Sequence, residues 1–319
     1  MRYYPVVIPT LCRYEHFRKC VESLSRNIGA DKTDLIIGLD YPPHKRYFEG
    51  YNKIKEFIKT INGFQNVIIL DTEKNLGSIE NTKRLIEYVS TYSDAYIYSE
   101  DDNEFSPFFL EYVNKGLETY RDDESILAVC GYSYPVNWNT EMDCVLQNQY
   151  FSAWGYGMWL KKRRDLQQNL NKKLILEEFN RAGAYKKWNK RRWNFINSLG
   201  LIFNEEIRMF DISYSFYMAA KDISILMPRR SLVINNGWDG TGEHCVRTKI
   251  DFGKEQRNNT FLPDVLSVDK KFYIELEKEL GLLATKKDKA KNKIIFVLFK
   301  ILGIKRLKKL KDIIRYGKK

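Results

Sequence analysis

Glu100, Asp101 and Asp102 stand side by side directly after the apolar run Ala95–Tyr98. Three consecutive carboxylates repel one another, and a divalent cation would relieve that repulsion. Hard Mg²⁺ or Mn²⁺ prefers carboxylate oxygen and commonly takes only one or two protein ligands beside substrate phosphates. The same acids could instead form a solvated turn capping the helix that starts near Pro107. A place at the tip of a buried strand favours the cation. Another acid, Asp211, interrupts the apolar and aromatic stretch Met209-Phe210-Asp211-Ile212. Burial raises a carboxylate's proton affinity and makes it a better base. Glu205 and Glu206 compete for that role, and Asp211 could equally cap a helix. His244 closes a Gly-rich loop and could ligate a metal, contact a diphosphate or simply be structural. Arg247 and Lys249 could add phosphate contacts.

These residues need a scaffold, and the first half of the chain supplies its pattern. Short apolar runs at Tyr4–Ile8, Leu35–Leu39, Asn66–Leu70, Ala95–Tyr98 and Ile126–Cys130 alternate with helical spacing. The helical stretches cover about Glu15–Asn27, Tyr47–Ile61, Ser78–Tyr92 and Pro107–Tyr120. This alternation predicts βαβ units, right-handed connections and a largely parallel sheet. Ligands of such sheets bind beyond the carboxyl ends of the strands. Asp40 and the Glu100–Asp102 cluster both fall at such ends. Asp40 could accept hydrogen bonds from a base or ribose, or could be a turn residue before Pro42-Pro43. The second half is less regular. A strand is expected at Cys144–Phe151, helix plus loop over 154–200, and a Gly/Asn-rich loop over 235–242.

Composition narrows the function classes. The 319 residues, 44% hydrophobic, suffice for one large α/β domain or two smaller ones. The net charge of +12 resides in one place: residues 286–319 hold 14 Lys or Arg and 2 Asp or Glu, leaving 39 basic and 39 acidic residues elsewhere. A balanced body argues against gripping a nucleic-acid backbone. The basic tail instead places Ile301, Ile304, Leu307, Leu310 and Ile314 at helical intervals among lysines. That pattern suits a helix lying on an anionic membrane surface. No run reaches the roughly 18 apolar residues of a membrane span. The opening segment reads as a strand rather than a secretion signal. Five cysteines (Cys12, Cys20, Cys130, Cys144 and Cys245) without a C-x-x-C pair fit a reducing compartment. The expected location is cytoplasmic, peripheral on the inner face of the cell membrane.

The segment Ile97–Tyr112, an acidic triplet followed by Pro, aromatics and Tyr, resembles the metal-binding strand of N-acetylglucosaminyltransferase I and related GT-A glycosyltransferases. Val7-Ile8-Pro9-Thr10 resembles the first strand of GT-A family 2 enzymes. Asn75-Leu76-Gly77 followed by Asn81 resembles their N-x-G segment. Phe151–Trp159 resembles the aromatic, Gly-rich stretch that shapes their sugar pockets, where rings stack on apolar sugar faces and glycines allow close approach. For Met158 and Trp159 ordinary core is the expectation, and a site role falls to Trp154 and Gly155. Asn236–His244 resembles a loop that folds over the nucleotide in bacterial relatives. The likeness spans about residues 4–245.

It does not cover the tail; it implies a GT-A, Rossmann-like α/β nucleotide-diphospho-sugar transferase fold with a mostly parallel central sheet, to which the pattern of the tail adds a C-terminal basic amphipathic helix. Residues 1–255 would form the catalytic domain, with 1–135 the nucleotide-sugar-binding half and 136–255 the acceptor half. Residues 256–285 would be a helical extension and 286–319 the membrane-association tail. It further implies Asp102 and His244 on Mn²⁺ or Mg²⁺, with Glu100 and Asp101 towards donor sugar and ribose. Arg13 and Asp40 would contact the nucleotide, Pro9, Thr10, Asn75, Gly77 and Asn81 would line the donor site, and Asp211 would deprotonate the acceptor hydroxyl for inversion. The expected partners are a nucleotide-sugar donor, UDP-linked, and a lipid-linked saccharide acceptor in capsule, lipopolysaccharide or exopolysaccharide assembly, with no nucleic acid. Two other classes compete. A nucleotidyltransferase would usually show a Gly-rich basic phosphate loop, absent from Pro9–Arg13. A non-catalytic sugar- or RNA-binding protein has no need of Asp102 together with Asp211.

Overall fold

The computed structural model describes residues 1–191, 210–241, 261–269, 278 and 283–316. The chain forms two compact units. The first comprises Met1–Gln147, Ser152–Arg163 and Ile223–Phe272, and the second Asn148–Phe151, Arg164–Asp222 and Tyr273–Lys319. Strands from both halves of the sequence share the first unit.

That first unit is built on β1 (Val6–Thr10), α1 (Tyr14–Ser25), β2 (Asp34–Leu39), α2 (Phe48–Ile58), β3 (Asn66–Asp71), α3 (Gly77–Val89), β4 (Ala95–Tyr98), β5 (Asn103–Phe105), α4 (Phe109–Thr119), β6 (Ile126–Cys130), β7 (Cys144–Gln147) and β8 (Tyr156–Trp159). After α5 (Leu160–Asn169) the chain passes into the second unit, with α6 (Lys172–Asn180), α7 (Ala184–Asn189) and α8 (Phe210–Lys221). It returns for β9 (Ser224–Pro228), β10 (Val233–Asn235) and β11 (Val268–Asp269), and α9 (Lys286–Tyr316) closes it.

Nine strands form one sheet in the order β11-β7-β9-β6-β8-β4-β1-β2-β3. The β4-β1-β2-β3 half is parallel throughout, with Val6 opposite Leu35 and Ile97, and Leu35 opposite Val67. Its central strands are apolar on both faces: Val6, Val7, Ile8, Ile36, Ile37, Tyr96 and Ile97 are fully buried. Helices cover both sides, which is why the runs do not alternate with polar residues. α1 buries Phe17, Cys20, Val21 and Leu24, one stripe of its surface.

The far half is mixed, and here the expected pattern is corrected. Residues 154–200 were expected as helix and loop, yet Tyr156–Trp159 is a central strand antiparallel to both β4 and β6. Four residues are too few to show a period. Gly157 belongs there because a Cβ would lie 2.6 Å from Val113 of α4. The Cys144 strand ends at Gln147 rather than Phe151. Beside the main sheet, β5 and β10 form a two-stranded antiparallel ribbon pairing Asn103 with Asn235.

In the second unit Trp188 is fully buried, stacked on Phe216 at 5.0 Å and packed with Phe179. Phe179 also meets Phe299 of α9. α9 is interrupted at Gly303, whose φ of 65° and ψ of 175° are not helical. Ile294, Val297 and Ile301 of this helix are exposed. Among the described residues no helix is long and apolar enough to cross a membrane. Cys12, Cys20, Cys130 and Cys144 are free thiols; Cys245 lies outside the described residues.

Candidate active site at the strand tips

The parallel strands deliver Thr10, Asp40 and Glu100–Asp102 to one edge of the sheet. β1 ends on Thr10. Asp40 follows β2 and donates its amide to the Thr10 carbonyl at 3.0 Å. Ser99 extends β4 by donating to the Val7 carbonyl, so the acids begin where pairing with β1 stops.

Asp101 and Asp102 are both 6% exposed. Thr10 Oγ1 donates to Asp101 Oδ2 at 2.9 Å. Asn235 Nδ2 donates to Asp102 Oδ1 at 2.6 Å. Arg13, just before α1, joins the two acids: its Nη2 donates to Asp101 Oδ1, and its Nη1 lies 2.7 Å from Asp102 Oδ2. Burial opposes the Arg13 cation, but the Asp101 and Asp102 charges outweigh burial and raise its pKa. Burial also raises Asp101, with Arg13 pulling against it and Asp102 adding to it.

The ribbon fixes this arrangement. Asn235 Nδ2 also reaches Asn103 Oδ1 at 3.0 Å, and Asn236 donates its amide to the Asp102 carbonyl at 2.9 Å. Gly237 follows, and a Cβ there would lie 2.3 Å from Asp102 Oδ2, so only glycine fits without displacing the carboxylate. His16 Nε2 lies 2.9 Å from Asp239 Oδ2, tying the loop after Gly237 to α1.

The other expected residues divide sharply. Asp40, 4% exposed, accepts from the amides of Tyr41, Leu76 and Gly77, from Asn75 Nδ2 at 3.0 Å and from Thr72 Oγ1. It therefore organises Asn75–Gly77 and the start of α3, where Gly77 takes a φ of 77°. Asn81 is buried, donating to the Gly38 carbonyl and accepting from Arg84. Pro9 lies in β1 opposite Gly38. Glu100 is half-buried, and its carbonyl accepts from Ser99 Oγ and Cys20 Sγ.

Trp154 is half-buried, edge to face with Tyr132 at 4.6 Å and with Trp238 at 6.0 Å. Gly155 has a φ of 72° and accepts from the Gly131 amide. The Tyr132 hydroxyl is buried and meets no hydrogen-bond partner among the described residues. Asp211 belongs to the second unit. It is half-buried in the first turn of α8, and its carbonyl accepts from Ser215 Oγ at 2.7 Å. His244, with Glu205, Glu206, Met209, Arg247 and Lys249, lies outside the described residues.

Sequence reading missed Asn235, Tyr132, Trp238 and the His16–Asp239 contact. The signal for Asn235 was its place at the head of the Gly/Asn-rich loop; its strand pairing with Asn103 is visible only in three dimensions.

Among the described residues no group of three or more His, Cys, Asp or Glu side chains is placed to hold a metal ion. Asp101 and Asp102 offer hard oxygen donors of the kind Mg²⁺ or Mn²⁺ takes alongside phosphates. The donor set fits such a cation, with Arg13 currently serving as counter-charge.

No family model matches the chain, and no curated protein does. Among solved structures, S. aureus TarS aligns at TM-score 0.30 and 10% identity over 47% of this chain and 22% of that one. TarS 1–349 aligns at 0.39 and 11%, over 72% and 57%. The mannosyltransferase PcManGT from Pyrobaculum calidifontis, in complex with GDP-Man and Mn²⁺, aligns at 0.40 and 11%, over 70% and 74%. The chain thus spans about a fifth of the first of these proteins and over half of TarS 1–349. At such scores and identities these likenesses carry no functional conclusion for this chain.

Proposed function

We propose that this chain is a GT-A-type glycosyltransferase that moves a sugar from a nucleoside diphosphate sugar, with Mn²⁺ or Mg²⁺, onto a saccharide acceptor. The observation that carries this reading is the buried Asp101–Asp102 pair at the tip of β4, beside the carboxyl end of β1. Open parallel sheets bind ligands at that edge. A cation held by Asp102, with His244 a candidate second ligand, would offset charge on the departing diphosphate.

The protein's own groups then take these parts. Thr10 and Asn235 fix the two carboxylates. Asp40 acts through the Asn75–Gly77 segment, whose amides and side chain it holds in place for the nucleotide. The Trp154, Tyr132 and Trp238 rings offer apolar faces for a sugar, and the buried Tyr132 hydroxyl offers it a polar partner. Asp211 is assigned as the base that takes the acceptor's proton, giving inversion. The Lys-rich α9 with exposed Ile294, Val297 and Ile301 would hold the enzyme on an anionic inner membrane face, near a lipid-linked acceptor of bacterial capsule, lipopolysaccharide or exopolysaccharide assembly.

The test is hydrolysis and transfer over a panel of nucleotide sugars with Mn²⁺, read by mass spectrometry. The wild type should turn over one of them, and Asp102→Ala should lower the rate by about 100-fold or more. Turnover untouched by Asp102→Ala would reject the site. For the tail, deletion of 286–319 should free the protein from anionic vesicles while sparing transfer to a soluble acceptor.

A further inference from the structure

We propose that Arg13 is a resident counter-ion which a divalent cation must displace, so that Arg13 sets the cation concentration at which the site loads. The inference rests on the metal reading above and adds to it a competitor encoded in the chain.

Each oxygen of the two buried carboxylates already has a neighbour. Asp101 Oδ2 takes the Thr10 hydroxyl and Asp102 Oδ1 takes the Asn235 amide. Asp101 Oδ1 and Asp102 Oδ2 both face Arg13. Each oxygen keeps a second lone pair, but a cation binding Asp101 Oδ1 or Asp102 Oδ2 would sit beside the like-charged Arg13 guanidinium, whereas the Thr10 hydroxyl and the Asn235 amide carry no charge to oppose it. Thr10 and Asn235 are fixed: they are 4% and 6% exposed, and each belongs to a paired strand. The Arg13 side chain differs on each count. It is 22% exposed, lies on the turn before α1 rather than in a strand, and ends a long flexible stem. Its Nη1 contact with Asp102 is an ion pair without an aligned hydrogen bond.

Charge points the same way. Two carboxylates with one guanidinium leave the buried cluster at −1, whereas a divalent cation in place of the guanidinium leaves it neutral. Without either, two adjacent buried carboxylates would repel with nothing to offset them. Arg13 thus keeps the empty site together and opposes its loading. Lysine could not do this equally, because one ammonium cannot present a two-pronged fork to both acids.

The experiment is a titration of the full-length protein with Mn²⁺ alone, with free Mn²⁺ counted by electron paramagnetic resonance, for wild type, Arg13→Gln, Arg13→Lys and Asp102→Asn. Arg13→Gln should bind Mn²⁺ about tenfold more tightly than wild type, and Arg13→Lys should fall between them. Asp102→Asn should lose the site. Equal or weaker Mn²⁺ binding by both Arg13 variants, with Asp102→Asn still abolishing it, would overturn the competition and leave the metal site standing. Unchanged binding by Asp102→Asn would remove the metal site itself and the inference with it. Should Arg13→Gln fail to fold, Arg13→Lys decides alone, with unchanged affinity counting against the proposal.

Discussion

Asp40 and the Asp101–Asp102 pair lie at strand ends on either side of β1 and are equally hidden from water, at 4% and 6% exposure. Their partners differ in kind. Among the described residues Asp40 forms no salt bridge, and it is closed by three backbone amides, a carboxamide and a hydroxyl. The acid pair is only partly offset, by the one Arg13 guanidinium that the proposal has a cation displace. Burial of a carboxylate is therefore a poor mark of a reactive site. A buried charge answered by backbone fixes the fold around it, whereas one answered by a mobile side chain can be answered by a ligand instead.

The largest effect should come from Asp40→Ala. It would leave the half-buried Leu76 and Gly77 amides without their acceptor and release the loop that starts α3. Removing a charged acceptor from several donors costs about 3 kcal/mol, readable as a fall in the urea midpoint. Asp102→Ala should cost far less, because it also removes repulsion from Asp101, yet it should abolish Mn²⁺ binding. Similar destabilisation by the two substitutions would erase the distinction.

This contrast was only partly legible in the sequence. The parallel half of the sheet was readable because strands buried on both faces, such as Val6-Val7-Ile8 and Leu35-Ile36-Ile37, appear as unbroken apolar runs. The mixed half was not. β8 has four residues, and β10, which brings Asn235 to Asp102, has three. Their place is set by pairing with distant strands, and local pattern carries no trace of it. The acid triplet itself was plain, as was its place at a strand end. That Arg13 would reach both acids, or that Asp40 would be occupied by its own loop, depends on side-chain geometry across 37 to 89 residues.

Gly237→Ala comes next and sharpens the comparison from the ribbon side. The added methyl would fall 2.3 Å from Asp102 Oδ2, so the carboxylate or the loop must move. Overpacking of this sort costs about 1–3 kcal/mol, and Mn²⁺ affinity should fall with it. Undiminished affinity would show that the Asp102 position is not what the cation needs.

Lys162 extends the rule to a buried cation. Its ammonium donates to the carbonyls of Tyr120, Asp123 and Ile126 and lies 3.7 Å from the centre of the Trp159 ring. Burial pulls its pKa down to about 8 from 10.5. In this window the unfolded chain holds more protons than the folded one, so the Lys162 contribution to stability rises with pH from about 8 towards 10.5. The difference in unfolding free energy between wild type and Lys162→Met should therefore grow in favour of wild type as pH is raised from 8 to 10. A flat difference would show that the three carbonyls and the ring keep the ammonium charged at its ordinary pKa. Activity should not depend on Lys162, since its partners are backbone carbonyls and the buried Trp159 ring.

The smallest effect separates contact from function in the loop beside Asp102. His16 and Asp239 form a partly exposed pair, and Asp239 is 44% exposed. Such pairs contribute at most about 1 kcal/mol, so His16→Ala should barely move the melting temperature at neutral pH. Hydrogen bonds from Thr241 and His16 outweigh burial and draw Asp239 down to about 2. A lowered carboxylate pKa adds stability above 3.8 that is lost as pH falls towards 2. The acid limb of unfolding should therefore be slightly less steep in His16→Ala. Mn²⁺ affinity should stay at the wild-type value, because Asn235 and Asn236, not His16, fix Asp102. A severalfold change in that affinity would mean the loop after Gly237 is coupled to the acid pair through α1. Arg13 would then be one of two restraints on loading, and the line between a closed carboxylate and an exchangeable one would have to be redrawn around the whole loop.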